Sequence, residues 1–191
     1  PVILSLILSF TSFNMLEFPK FIFFENYVRL FLDDDIFLIA IKNTFIIALT
    51  AATVSTLLGT VAAIGIHDLR YRKRRAVNFL NNIPILNPDI ITGISLFLLF
   101  ISLGITQGYL TVILAHITFC TPYVVLSVMP RLTQMNPNIY EAALDLGATP
   151  MQAMRHVILP EIRPGRISGF ILACTLSIDD FAVTIFTNGT D

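Results

Sequence analysis

The stretch Glu141–Pro160, EAALDLGATPMQAMRHVILP, is a polar segment between strongly apolar parts of the sequence. A short helix is predicted before its glycine, because Asn136 can cap that helix and Pro137 occupies the first helical position, where a missing N–H costs nothing. One apolar stripe follows the spacing i, i+3, i+4 and i+7 of a helix: Ile139, Ala142, Ala143 and Leu146. A polar face is predicted at Asn138, Glu141 and Asp145.

Gly147 is predicted to end this first helix, because glycine enters the left-handed backbone conformation without strain. Thr149 and Pro150 repeat the order of a capping residue and a proline, so a second helix is predicted to begin there. This second helix is predicted to end before Pro160. We call Glu141–Pro160 the elbow, since it consists of two short helices joined at a glycine.

The composition is that of a membrane protein. Of the 191 residues, 55% are hydrophobic and 13% are charged, and the mean hydropathy is +0.78. A soluble domain carries about 25% charged residues. The net charge of −1 argues against a nucleic-acid partner. Cys120 and Cys174 lie inside apolar runs and are predicted to be small buried residues, not a disulfide or a zinc site.

Four complete membrane spans are predicted from the apolar runs, at residues 38–66, 79–103, 109–130 and 167–187. The second is entered through Pro84 and Pro88. Small residues recur along the first at steps of three and four, which lets a neighbouring helix approach closely: Ala48, Ala52, Ser55, Gly59 and Ala63.

The first 37 residues combine a short apolar run with a mixed acidic and aromatic segment. Residues 1–10 are apolar but too few to span a bilayer, so we interpret them as part of a further span and expect both ends of the chain to be incomplete. Residues 14–37 combine acidic and aromatic side chains. They are predicted to form a helix on the membrane surface, or alternatively a loop with one packed apolar side.

Basic residues indicate the orientation in the membrane. The loop His67–Arg75 holds five of them, and residues 131–166 hold Arg131, Arg155, Arg163 and Arg166, so nine of the twelve lie in these two segments. The positive-inside rule places both segments in the cytoplasm. The acidic segment 14–37 and residues 104–108 then face outward.

Asp179 and Asp180 lie inside the last predicted span. An aspartate near the bilayer centre costs on the order of 2.5–3.5 kcal/mol, so each should face a cavity or a partner. Asp180 shares a helical face with Gly169, Ala173, Ser177 and Thr184, and Asp179 shares one with Ser168, Leu172 and Thr175. Both are candidates for a substrate pathway. Asp180, with Ser177 and Thr184, is the preferred choice, and Asp179 is preferred for an interhelical contact.

Asp89 is a third candidate, nearer the cytoplasmic end. Acidic side chains in such places would favour a cationic solute passing a negative constriction. The alternative for Asp179 and Asp180 is hydrogen bonding to neighbouring helices without contact with solute. The alternative for Asp89 is a helix-start residue following Pro88.

Sites of chemistry are not indicated by the sequence. His67, His116 and His156 show no metal-ligand spacing, and the phosphate-binding G-x-x-x-x-G-K-[ST] motif is missing. Paired membrane aspartates could also indicate an intramembrane aspartyl protease, but the Gly-x-Gly-Asp motif of that family is missing too. If ATP drives this protein, another chain binds it.

The elbow resembles the cytoplasmic signature of ABC-importer permease subunits. Glu141-Ala142-Ala143, then Gly147, then Leu159-Pro160 have the spacing of that signature, with Val157 where isoleucine is usual. The resemblance implies a coupling helix that docks on the ATPase, with these contact and elbow residues: Glu141, Ala142, Ala143, Leu146, Gly147, Leu159 and Pro160. An ATP-independent channel or secondary carrier is the main rival, but it has no reason to carry this signature.

Two further strings, LSIDDF and PDIITGISL, resemble the second permease of spermidine/putrescine importers. This resemblance implies polyamine cargo. Sulfate, molybdate, ferric iron and thiamine, carried by the same kind of machine, are the alternatives.

The resemblance implies an all-α fold, a multi-pass transmembrane helical bundle of the type I ABC importer permease kind. Residues 1–191 would form one permease domain, with 131–166 as its cytoplasmic coupling loop. The implied partners are ABC ATPase subunits, a second permease subunit in a heterodimer, an extracytoplasmic solute-binding protein and the lipid of a bacterial inner membrane. No cofactor is expected on this chain, since ATP and magnesium would bind to the ATPase.

Overall fold

The computed structural model describes residues 11–12, 20–21, 28, 31, 35–136 and 138–188. Contacts within the chain group residues 1–45 and residues 46–191 into two units. In the first, β1 (Thr11–Ser12) pairs antiparallel with β2 (Lys20–Phe21). The apolar run at 1–10 and most of the predicted surface helix at 14–37 lie outside the described residues. Within that segment, Lys20 and Phe21 belong to a strand and not to a helix.

The rest of the described chain is helical, which confirms the all-α prediction. Its helices are α1 (Asp35–His67), α2 (Tyr71–Leu86), α3 (Asp89–Ser102), α4 (Tyr109–Gln134), α5 (Asn138–Asp145), α6 (Pro150–Ala153), α7 (Leu159–Glu161), α8 (Arg163–Asp179) and α9 (Ala182–Thr187). A π-helical turn, Met154–Ile158, joins α6 to α7.

Two of the described helices are long and apolar enough to cross a membrane. They are α1, over Ile36–His67, and α4, over Tyr109–Gln134. These helices confirm the predicted spans at 38–66 and 109–130. Helix α4 continues beyond the predicted end to Gln134.

The predicted span at 79–103 consists of two helices that pass the length and hydropathy of a span only together. It is divided between α2 and α3, which are bent by 103° at the break between Leu86 and Asp89. Proline disfavours a helical conformation in the residue before it, and Asn87 is accordingly extended, with φ −78° and ψ 139°. Helix α2 also begins earlier, at Tyr71, so part of the predicted basic loop is helical.

The basic residues favour a broken span over a re-entrant loop for α2 and α3. A re-entrant pair would return Ser102 to the side from which Tyr71 started. Because α4 crosses the membrane, the basic residues after Gln134 would then lie on the membrane face opposite to that of Arg70–Arg75. A crossing keeps both basic segments on one face, as the positive-inside rule requires.

Helix α4 is the centre of the main core. Its contributions to the buried cluster are Phe119, Cys120, Val124, Val125, Val128 and Leu132. Gly59 of α1 and Gly169 of α8 both pack against Val124, where an added Cβ would lie 2.7 Å and 3.2 Å from its side chain, respectively. The predicted stripe of small residues on α1 is buried at every position, which confirms its role in packing.

The second helix of the elbow passes Pro160, so its predicted end is wrong. The N–H of Leu159 donates to the carbonyl of Met154, five residues earlier, in the π-helical turn. This wider turn places Pro160 in the first turn of α7, where its missing N–H is not needed. The helix ends at Glu161 instead.

The predicted span at 167–187 starts earlier and is interrupted. Helix α8 begins at Arg163 and its 17 residues measure about 26 Å. Asp180 leaves the helix with φ −74° and ψ 118°, and α9 begins at Ala182. Of the four predicted spans, the second and the fourth are thus each divided between two helices.

Replacing Gly59 with valine tests the packing around α4. Gly59→Val should lower the free energy of unfolding by about 1–3 kcal/mol, because the added side chain meets Val124. The matched control is Gly65→Val on the same helix, where an added Cβ meets nothing within 4 Å. Thermal unfolding of the detergent-purified protein gives the comparison, and equal melting temperatures for the two variants would contradict this account of the packing.

Candidate functional site

Helix α5, which leads into the elbow, begins at a side-chain cap. The N–H of Asn138 donates to Oδ1 of Asn136 over 3.0 Å, and the N–H of Ile139 donates to the Asn136 carbonyl over 3.2 Å. The predicted cap of α5 is confirmed. Pro137 lies outside the described residues.

Gly147 forms the turn between the two elbow helices. Its φ is +88°, in the left-handed region that favours glycine. The N–H of Gly147 donates to the Leu144 carbonyl, and the N–H of Ala148 donates to the Ala143 carbonyl. These two bonds form a Schellman motif, so the predicted glycine stop is confirmed.

Thr149 and Gln152 start the second elbow helix with a reciprocal capping box. The N–H of Thr149 donates to Oε1 of Gln152 over 2.9 Å, and the N–H of Gln152 donates to Oγ1 of Thr149 over 3.4 Å. Capping at Asn136, Gly147 and Thr149 fixes the angle between the two helices without help from a partner.

The outer face of the elbow is partly apolar. Leu146 is 89% exposed and Met151 is 75% exposed, and Glu141 and Ala142 are exposed beside them. Of the predicted apolar stripe, Ala142 and Leu146 are thus open to a partner, whereas Ile139 and Ala143 are half-buried. The inward face instead holds the half-buried residues Ile139, Tyr140, Ala143 and Leu144, and the Tyr140 ring packs against the core.

The remaining predicted contact residues differ in accessibility. Leu159 packs against the core, whereas Pro160 and Gly147 are exposed. Leu159 thus anchors the elbow to the helical bundle. The surface open to a partner consists of Glu141, Ala142, Leu146, Gly147, Met151 and Pro160, and we call it the elbow surface.

A buried polar cluster lies at the break between α8 and α9, and His116 of α4 is its centre. His116 Nδ1 lies 2.6 Å from Ser177 Oγ, and Nε2 lies 3.0 Å from Thr184 Oγ1. The same Nε2 lies 3.5 Å from Oδ2 of Asp180, and the exposed fractions of the two side chains are 2% and 3%. The structure thus brings together Asp180, Ser177 and Thr184 as predicted, and adds His116.

Asp180 also caps α9. Its Oδ1 accepts from the N–H of Val183 over 3.3 Å, and its Oδ2 accepts from the N–H of Thr184 over 3.1 Å. The carboxylate therefore compensates for the interruption of the span, because it accepts from backbone donors that the first turn leaves free. This is the predicted alternative in which the aspartate hydrogen-bonds within the protein.

The cluster contains a serine, a histidine and an aspartate, yet its geometry is not that of a hydrolase. Ser177 and His116 are buried, and Thr184 shares the imidazole nitrogen that faces Asp180. Since a nucleophile must be reachable by its substrate, these contacts indicate packing and positioning. Among the described residues, no group of three or more His, Cys, Asp or Glu side chains could hold a metal ion.

Asp179 occupies the opposite face of α8. It is exposed, and so are Ser168, Leu172 and Thr175 on the same stripe. Asp179 makes no hydrogen bond or ion pair within the described part of the chain. The other stripe, with Gly169, Ala173 and Ser177, is buried and packs toward α4, where Cys120 Sγ lies 3.5 Å from the Ala173 carbonyl.

Asp89 is exposed and is the first residue of α3. It follows Pro88 at the break with α2, where a carboxylate interacts favourably with the positive end of the helix dipole. One turn later, Gly93 packs against Ala182 and Val183 of α9. The two broken spans therefore contact each other close to their breaks.

One family of known proteins matches most of this chain. Residues 55–190 match the family of binding-protein-dependent transport system inner membrane components. The chain belongs to this family. The fold prediction, a multi-pass helical permease of the type I ABC importer kind, is thereby confirmed, as is the interpretation of the chain as an inner-membrane transport component and not an enzyme.

Several curated relatives are polyamine permeases. The chain is 42% identical over 165 residues to the putrescine transport system permease protein PotI of Escherichia coli K12, covering 83% of this chain and 59% of the relative. It is 39% identical over 163 residues to the spermidine/putrescine transport system permease protein PotC of Haemophilus influenzae, covering 85% and 63%. PotC of Escherichia coli K12 is 34% identical over 190 residues, covering 99% and 71%. The chain thus spans about three fifths of the length of the first two relatives.

The role of His116 can be tested by its effect on stability. His116→Leu should lower the free energy of unfolding by about 1–3 kcal/mol, because the hydroxyls of Ser177 and Thr184 and the Asp180 carboxylate lose a buried partner. His156→Leu is the control, since His156 is exposed. A His116→Leu variant with the same melting temperature as the wild type would contradict the positioning role.

Proposed function

We propose that this chain is the permease subunit of an ATP-driven importer of polyamines, of the putrescine and spermidine kind. The observation that carries the proposal is the elbow surface, which is exposed, partly apolar and built on two capped helices. It occurs in a chain of the binding-protein-dependent transport family that is similar to polyamine permeases.

The elbow surface is the proposed docking site of the ATPase. Large apolar side chains at a cytoplasmic loop, such as Leu146 and Met151, favour cover by a protein partner. Glu141, Ala142 and Gly147 complete the contact. ATP and magnesium would bind to the ATPase alone, because this chain carries no phosphate-binding motif.

The proposed mechanism is alternating access. Closure of the ATPase subunits on ATP would move the elbow, and α4 and α8, which flank it in sequence, would transmit that movement as rigid helices to the other face of the membrane. A second permease subunit would complete the pathway. An extracytoplasmic binding protein would deliver the solute.

We propose that carboxylates on the exposed and interrupted parts of the spans bind the cationic solute. Asp179 is the one that faces away from its own helical bundle, so we assign it the direct contact, with Asp89 at the other break. Asp180, Ser177 and Thr184 would border the same region. They would shape it through the buried cluster around His116.

Sulfate and molybdate are disfavoured as cargo, because carboxylates repel anions. Ferric iron and thiamine fit the charge, but polyamines are favoured by the similarity to three polyamine permeases. An ATP-independent channel or carrier is disfavoured by membership in a binding-protein-dependent family.

Replacing Gly147 with valine tests the coupling. Gly147→Val should lower uptake per ATP hydrolysed about tenfold, since a branched side chain in the left-handed conformation costs 1–2 kcal/mol and displaces the elbow. Gly104→Val is a matched control, because Gly104 also has a positive φ and open space but lies between α3 and α4. Normal solute-stimulated ATP hydrolysis with intact uptake in Gly147→Val would overturn the coupling role.

Uptake of labelled putrescine and spermidine by the complete reconstituted transporter tests the cargo. Asp179→Asn should reduce uptake about tenfold, since a charge-assisted hydrogen bond to the cation is lost, and should leave the melting temperature unchanged. Asp180→Asn should reduce both uptake and melting temperature. Uptake of thiamine or ferric iron in place of polyamines would refute the cargo, and full polyamine uptake by Asp179→Asn would remove that residue from the pathway.

A further inference from the structure

A cavity of about 600 Å³ lies beside the start of α8. Three arginines line it: Arg155 from the π-helical turn, and Arg163 and Arg166 from the first turn of α8. Its remaining wall is largely apolar and includes Leu159, Ile167 and Phe170. The lining therefore combines cationic and hydrophobic side chains.

Within the part of the chain that the structure describes, the three arginines lack anionic partners. No salt bridge joins any of them to an acidic side chain within the described residues. Arg166 Nε is buried, and no hydrogen-bond acceptor meets it in the described part of the chain. That nitrogen is closed to solvent and cannot meet a ligand, but Arg155 and Arg163 are exposed, so an anion that arrives from outside the chain can pair with their guanidinium groups.

The backbone adds to this positive charge. Helix α8 has 17 residues, and its N-terminus carries a partial positive charge that favours anions. Gly165 packs so closely on α4 that an added Cβ would lie 2.9 Å from Arg131 Cγ and 3.1 Å from the Ser127 carbonyl. The first turn of α8, with Arg163 and Arg166, is thus fixed against the helical core.

We propose that this cavity binds the phosphate headgroup of an anionic phospholipid. The positive-inside rule places it at the cytoplasmic side, where basic pockets between membrane helices bind such headgroups. Ile167 and, one turn further, Ile171 are 49% and 58% exposed. They continue the apolar wall along α8, so that an acyl chain could follow the helix while the phosphate meets the guanidinium groups.

Native mass spectrometry of the complete, delipidated transporter tests this site. The probes are phosphatidylglycerol and phosphatidylcholine added back at equal amounts. We expect phosphatidylglycerol to be retained in preference, and the double variant Arg163→Gln/Arg166→Gln to bind it about 25-fold more weakly, at about fivefold for each arginine. The double variant Arg72→Gln/Arg75→Gln is the control, because both are exposed arginines of α2 and the change in charge is the same.

A further variant, Arg155→Gln, and a further probe, inorganic phosphate, distinguish a lipid site from other roles of the arginines. Arg155→Gln removes the one arginine outside α8 and should weaken binding about fivefold. Equal retention of the two lipids, or unchanged binding by both sets of variants, would overturn the proposal. Displacement of phosphatidylglycerol by inorganic phosphate at equal concentration would assign the site to a soluble anion. Loss of a partner subunit from the arginine variants, with lipid binding intact, would assign the arginines to a protein interface.

Discussion

The close approach of helix backbones around Val124 is the constraint on which the rest of this structure depends. Gly59 from α1 and Gly169 from α8 contact the same side chain of α4 from two elements. Within a bilayer, lipid tails are as apolar as leucine, so helices associate through van der Waals packing and not through hydrophobic burial. The glycines permit that packing, and they hold α8 in register with α4.

That register connects the two candidate sites. Helix α4 runs from the buried cluster at His116 to Gln134, shortly before the elbow, and α8 runs from just after the elbow to Asp179. The cluster joins the far end of α4 to α8 through Ser177 and to α9 through Thr184. A displacement of the elbow is thus carried by two helices that are joined at both ends, as rigid-body transmission requires.

The local features of the fold could be predicted from the sequence, because caps and stops depend on neighbouring residues. Asn136, Gly147 and Thr149 act as their types indicate. Helical spacing does not say which apolar residues of the stripe face the bundle, so the exposure of Leu146 was expected only from the resemblance that implies it as a contact residue. His116 was missed as a site residue because its partners are 61 and 68 residues away in sequence. Its one signal was a polar side chain inside a predicted span.

The central claim is that the elbow surface is the contact with an ATPase subunit. Copurification of that subunit with the full-length, tagged permease tests it most directly. Leu146→Asp should abolish copurification, because it places a charge on the most exposed apolar side chain of the surface, at 89%. Leu103→Asp, at a leucine that is 63% exposed at the end of α3, should retain it. Undiminished copurification of the ATPase with Leu146→Asp would contradict the account.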